Sequence, residues 1–137
     1  MKWLLDNSVF FPVLMLSHTE HTAMCKWLDH AKRDGWGVTV ETYLGGIRKL
    51  MNPRIMQGSP LRAREAIKTA RTTLARLGRG QIVVGGQPDD SLYKKAQGHG
   101  QIMDFYLAQV ARDAGMKLVT RDAGLLAVFP GLAVYPK

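Results

Sequence analysis

The chain has 137 residues, 46% hydrophobic and 22% charged, with a single cysteine and a formal charge of +8. At that length folding buries roughly two-thirds of the unfolded surface without cross-links. The composition excludes disordered and collagenous classes, and one cysteine, Cys25, excludes an intrachain disulfide. Between Arg48 and Arg79 stand nine basic residues and one acid, Glu65, so that stretch alone carries the whole net charge. A cationic surface so concentrated attracts a polyanion such as nucleic acid.

The longest apolar run, Val9 to Leu16, is interrupted by Pro12 and falls well short of the roughly 20 residues of a spanning helix. The opening residues lack the apolar region of a secretory signal. The expectation is a cytoplasmic protein that forms one domain over residues 1–137, without membrane association.

In chain order, the run Lys2–Leu5 predicts a buried strand that ends in the polar turn Asp6-Asn7-Ser8. Ser17-His18-Thr19-Glu20 has the pattern of a capping box and predicts a helix with Ala23, Met24, Trp27, Leu28 and Ala31 on one face, ended by Gly35 and Gly37. Val38–Val40 predicts a second strand. Glu41 opens a helix carrying Leu44, Ile47 and Leu50, stopped at Asn52-Pro53. Ser59-Pro60 predicts the start of the next helix, with Ala63, Ala66, Ile67, Ala70, Leu74 and Leu77 on one stripe and Gly78 at its end. Ile82–Val84 reads as a third strand. Gly85 to Gly100, rich in Gly, Asp and Ser, reads as a mobile connection with a helical turn around Leu92–Ala96. A helix from Ile102 to Ala114 follows, with Met103, Leu107, Val110 and Ala111 on its apolar stripe. Lys117–Thr120 is a fourth strand and Leu132–Val134 a fifth. Strands alternating with helices predict an α/β fold, a central parallel sheet of four to five strands flanked by helices.

In an open sheet of this kind the active crevice lies beyond the carboxyl ends of the strands. Asp6 follows the first strand, Glu41 the second and Asp122 the fourth, while Asp104 lies in the first turn of the helix that feeds the fourth. Four acids from distant parts of the chain are thus expected at one edge. Such a cluster repels itself, and a hard divalent cation, Mg²⁺ or Mn²⁺, compensates it through oxygen ligands. An acidic pocket in a basic chain suits metal-assisted displacement at a phosphodiester. Asn7, Ser8 and Thr120 are candidates to orient the acids by hydrogen bonds. Arg48, Arg62, Arg64 and Arg71 are candidates to hold an RNA backbone. Other features point inward: Cys25 reads as a packed thiol, Trp3 and Trp27 as core, and Asp89 and Asp90 as solvated. His18 and His21 read as surface residues, and Trp36 as a packed side chain at a turn.

The chain resembles the PIN-domain family, specifically its VapC-type toxins. Leu-Leu-Asp6-Asn-Ser-Val is similar to the family's opening strand with its first metal-site Asp. Gln101-Ile-Met-Asp104-Phe-Tyr-Leu-Ala is similar to its Asp-x-x-Leu-Ala helix, and Gly115-Met-Lys-Leu-Val-Thr120-Arg-Asp122 to its Thr-x-Asp strand end. The tail from Gly124 to Leu132 also fits. The resemblance implies Asp6, Asp104 and Asp122 as metal-site acids of a ribonuclease. It also implies a homodimer inhibited by a cognate antitoxin protein. One departure stands out. Ile47-Arg48 matches the family's second helix, but Glu41 precedes the slot where the resemblance places a glutamate, and Tyr43 occupies that slot. The sequence leaves two other readings open: a nuclease of this family that acts in RNA processing or on DNA rather than as a toxin, and a catalytically silent RNA-binding module.

Overall fold

A computed structural model describes residues 1–137. Five strands, β1 Trp3–Leu5, β2 Trp36–Thr39, β3 Gln81–Val83, β4 Lys117–Val119 and β5 Ala133–Val134, form one sheet in the order β3-β2-β1-β4-β5. Every neighbouring pair is parallel. The helices are α1 Asn7–Leu14, α2 His21–Ala31, α3 Val40–Leu50, α4 Ala63–Arg76, α5 Asp90–Tyr93, α6 Gln101–Asp113 and α7 Ala123–Val128. The expected α/β class and parallel sheet are those of the structure. No helix is long and apolar enough to cross a membrane.

Side chains alternate between the faces of a strand, and β1 shows the consequence. Leu5 joins the larger core with residues of α1, α2, α3 and α4. Leu4 joins the smaller one with Leu107, Ala108 and Val110 of α6 and Leu125 of α7. Both leucines are fully buried, each worth about 1.5–3 kcal/mol. The chain therefore leaves β1 toward one face and β4 toward the other. Strand order runs outward in both directions from the β1/β4 pair, so a crevice opens at their carboxyl ends.

The structure differs from the sequence reading at several places, each for a local reason. The polar turn expected after β1 is the start of α1: Asp6 is extended and its carboxylate accepts the Ser8 N–H as an N-cap. Val9 to Leu14 are all buried, so α1 lacks a polar face and the 3.6-residue period that would reveal it; Pro12 within it adds a further contrary signal. The capping-box pattern does not open α2, which starts at His21 without a side-chain cap bond. Glu20 instead reaches Arg121 at 3.5 Å. Nor does Ser59-Pro60 open α4, which begins at Ala63 after an uncapped Arg62. Its buried positions are Ala66, Ala70, Thr73 and Leu74, and Ile67 faces out. Trp36 lies inside β2, buried, with its indole N–H donating to the Leu77 carbonyl at 2.7 Å.

The segment after β3 is less loose than its composition suggests. Gln109 is buried in the middle of α6. Its Oε1 accepts the Asp89 N–H at 2.8 Å and the Tyr93 hydroxyl at 3.0 Å, and its Nε2 donates to the Gln87 carbonyl at 2.7 Å. The Tyr106 hydroxyl donates to the Gly86 carbonyl at 2.9 Å. Residues 86–93 are thereby stapled to α6.

Candidate active site

Asp6 is the pivot of the β1/β4 crevice. It is buried, and its carboxylate is held by the start of α1 and by the residue that follows β4. Oδ1 accepts from the Ser8 N–H at 2.9 Å and the Ser8 hydroxyl at 2.6 Å; Oδ2 accepts from the Thr120 hydroxyl at 2.5 Å. Ser8 Oγ in turn accepts the Arg121 N–H at 2.7 Å, and Thr120 Oγ1 accepts the Asp122 N–H at 3.0 Å. These bonds lock the end of β1 to the end of β4, and the acids with them. Asp122 completes the lattice by capping α7, its Oδ1 accepting the Leu125 N–H at 3.0 Å. The cap of α7 and a place in the site thus fall on one residue.

One cavity of about 390 Å³ is lined by Asp6, Glu41, Asp104 and Asp122, together with Asn7, Ser8 and Arg48. The four acids nominated from distant parts of the chain do meet. Asn7 and Ser8 share the wall, whereas Thr120 is fully buried behind it. Glu41 stands in the first turn of α3, which Thr39 caps by accepting the Thr42 N–H at 3.1 Å. The departure noted in sequence resolves accordingly: Glu41 lines the cavity, and Tyr43 is buried in the core. Of the four arginines, Arg48 borders the cavity; Arg62, Arg64 and Arg71 are exposed on or beside α4 and are not part of its wall. Asp89 and Asp90 lie outside it. Asp89 caps α5 and pairs with Arg112 at 3.3 Å.

The electrostatics follow from this crowding. Burial pushes the Asp6 carboxyl above its ordinary value, opposed by the Ser8 and Thr120 hydrogen bonds and reinforced by the charge of Asp122. Asp104 is pushed up to about 6, by desolvation first and then by Asp122 and Asp6. Two buried acceptors, Glu41 Oε2 and Asn7 Oδ1, find no protein donor. An orphaned buried oxygen is costly, and a cation or its water shell would satisfy both. The donor set is all oxygen, as Mg²⁺ or Mn²⁺ prefers. No three of these groups stand together as a ready-made cage.

Sequence reading missed part of the wall. Thr42, Gly45, Met103 and Leu107 also line the cavity. A Cβ at Gly45 would lie 2.6 Å from the Asn7 amide nitrogen, so glycine lets α3 approach the site. The signal was present, because Gly45-Gly46 in mid-helix opposes helix propensity and needs a packing reason.

Residues 3–129 match the PIN domain family, and the chain belongs to that family. It is 29% identical over 133 residues to Ribonuclease VapC38 of Mycobacterium tuberculosis, with 91% of this chain and 88% of that one covered. It is 30% identical over 134 residues to Ribonuclease VapC39 of the same organism, with 91% of each covered. Among solved structures, PAE2754 from Pyrobaculum aerophilum shares the fold at a TM-score of 0.64 and 21% identity, over 97% of this chain and 83% of that one.

Proposed function

We propose that this protein is a metal-dependent endoribonuclease, the toxin of a type II toxin–antitoxin pair. The observation that carries the reading is the meeting of Asp6, Glu41, Asp104 and Asp122 in one cavity of a strongly cationic chain. The similarity to ribonucleases VapC38 and VapC39 supports it.

Asp6, Asp104 and Asp122 are the residues that would hold Mg²⁺ or Mn²⁺. Such an ion, when bound, neutralises the phosphodiester and makes water a better nucleophile. The chain's own residues do the rest. Ser8 and Thr120 fix both oxygens of Asp6, so its direction does not change when the substrate arrives. Glu41 Oε2, which has no protein donor, is the atom left to take the proton from attacking water. Arg48 at the cavity rim pairs with a backbone phosphate. Arg62, Arg64 and Arg71 extend the cationic track along which single-stranded RNA lies. The partners are RNA, a cognate antitoxin and a second copy of the chain as a homodimer, and the work is done in the cytoplasm.

The test is cleavage of total RNA with Mg²⁺ or Mn²⁺ and with EDTA. Asp6→Asn and Asp104→Asn abolish cleavage and growth arrest on expression, while circular dichroism reports an intact fold. Undiminished cleavage in both variants overturns the assignment.

A further inference from the structure

Beside the acid cavity lies a second hollow of about 470 Å³, lined by Glu41, Asp90, Tyr93, Ile102, Met103, Tyr106 and Pro88. Glu41 and Met103 border both cavities, so whatever enters the second lies next to whatever reacts in the first. Its apolar wall is left open: Ile102 is 48% and Met103 51% exposed. Its aromatic wall is rigid. The Tyr93 and Tyr106 hydroxyls are each spent on a hydrogen bond, to Gln109 and to Gly86. Gly85 lets that wall close up, since a Cβ there would lie 2.6 Å from Val110 Cγ2. Two fixed phenol rings and two flexible apolar side chains form a slot of the kind that stacks an unpaired base.

The polar groups of the slot decide which base. None of its lining residues is a cation, an amide or a histidine; the polar atoms are the carboxylates of Glu41 and Asp90 and the two bonded phenols. The walls therefore accept hydrogen bonds and offer almost none. Guanine presents adjacent N1–H and N2–H donors on one edge, which a single carboxylate accepts together. Uracil presents one N–H between two carbonyls, which the carboxylates repel. The geometry points to a base-reading subsite that takes an unpaired guanine adjacent to the scissile phosphodiester. This rests on the ribonuclease reading above.

The experiment uses the whole protein on single-stranded oligonucleotides of uridine that contain one guanosine, and on all-uridine controls. Binding is read by fluorescence anisotropy in Ca²⁺ and cleavage positions by end sequencing in Mn²⁺. The expected result is cleavage next to the guanosine and binding at least several-fold tighter than to the control. Tyr93→Ala weakens that binding roughly tenfold, the loss of one stacked base. Asp90→Asn, which leaves the rings in place, narrows the guanosine-to-uridine ratio. If both variants keep wild-type affinity and cleavage positions on RNA that the wild type cuts, the subsite is refuted and the nuclease reading survives. If Tyr93→Ala changes only the oligomeric mass, the slot is a protein contact and the proposal falls. If the wild type neither binds nor cuts any oligonucleotide, the nuclease reading itself fails.

Discussion

Thr120 serves two acids with one hydroxyl: it donates to Asp6 Oδ2 and accepts the Asp122 N–H. Thr120→Val keeps the shape and removes both bonds. Cleavage is expected to fall about 10- to 100-fold with a raised Mn²⁺ requirement, measured as rate against metal concentration, and Thr120→Ser restores most of it. Asp104 gives a second test at this scale. Its carboxyl stands at about 6 in the fold against an ordinary 3.8, so the folded chain holds that proton more tightly than the unfolded chain. The contribution of Asp104 to metal-free stability therefore falls as pH rises from about 4 to about 6 and levels off above that. Asp104→Asn removes the charge that causes the loss. In EDTA at pH 7.5 its Tm is expected to exceed the wild type's by about 2–4 °C, and the gap closes near pH 4. A Tm gap between variant and wild type that is the same at pH 4 and pH 7.5 in EDTA contradicts the crowded-acid picture.

Elements are placed by close approaches as much as by apolar stripes. Gly37 lies in β2 between β1 and β3, and a Cβ there would stand 2.6 Å from the Gln81 carbonyl oxygen, which is backbone and cannot swing away. Gly37→Ala is expected to destabilise the protein by about 1–3 kcal/mol, read as a lower urea midpoint. Gln109 is the corresponding device on the other face. Gln109→Leu keeps the volume but deprives Asp89, Tyr93 and Gln87 of their partner. Hydrogen exchange is expected to rise by tenfold or more in residues 86–93, while β1 and β4 stay protected. Unchanged exchange there shows that the segment is held by other contacts.

The whole molecule gathers four of its eleven acids in one cavity and concentrates basic groups across the stretch from Arg48 to Arg79. Binding to single-stranded RNA should then be steeply salt-dependent. Each of Arg62→Ala, Arg64→Ala and Arg71→Ala is expected to flatten the log–log salt slope by about 0.7 if it releases one phosphate contact. A slope that none of the three changes places the RNA elsewhere.

Much of this was legible from the amino-acid sequence because it is written in local pattern. Apolar runs divided by helical stripes specify an α/β sheet, and acids set just past strand ends specify where a site forms, whatever the packing details. The sequence also marked Asp6, Asp104 and Asp122 through motif context. Tertiary structure decided the rest. Helix α1 is buried from Val9 to Leu14, so no periodicity announced it. Glu41 reaches the cavity although its spacing looked wrong, because Thr39 caps α3 at the end of β2 and turns its first residues toward the crevice. The bonds from Thr120 to Asp6 and from Arg121 to Ser8 join positions more than a hundred residues apart. No local pattern encodes such bonds; they exist only once β1 and β4 lie side by side.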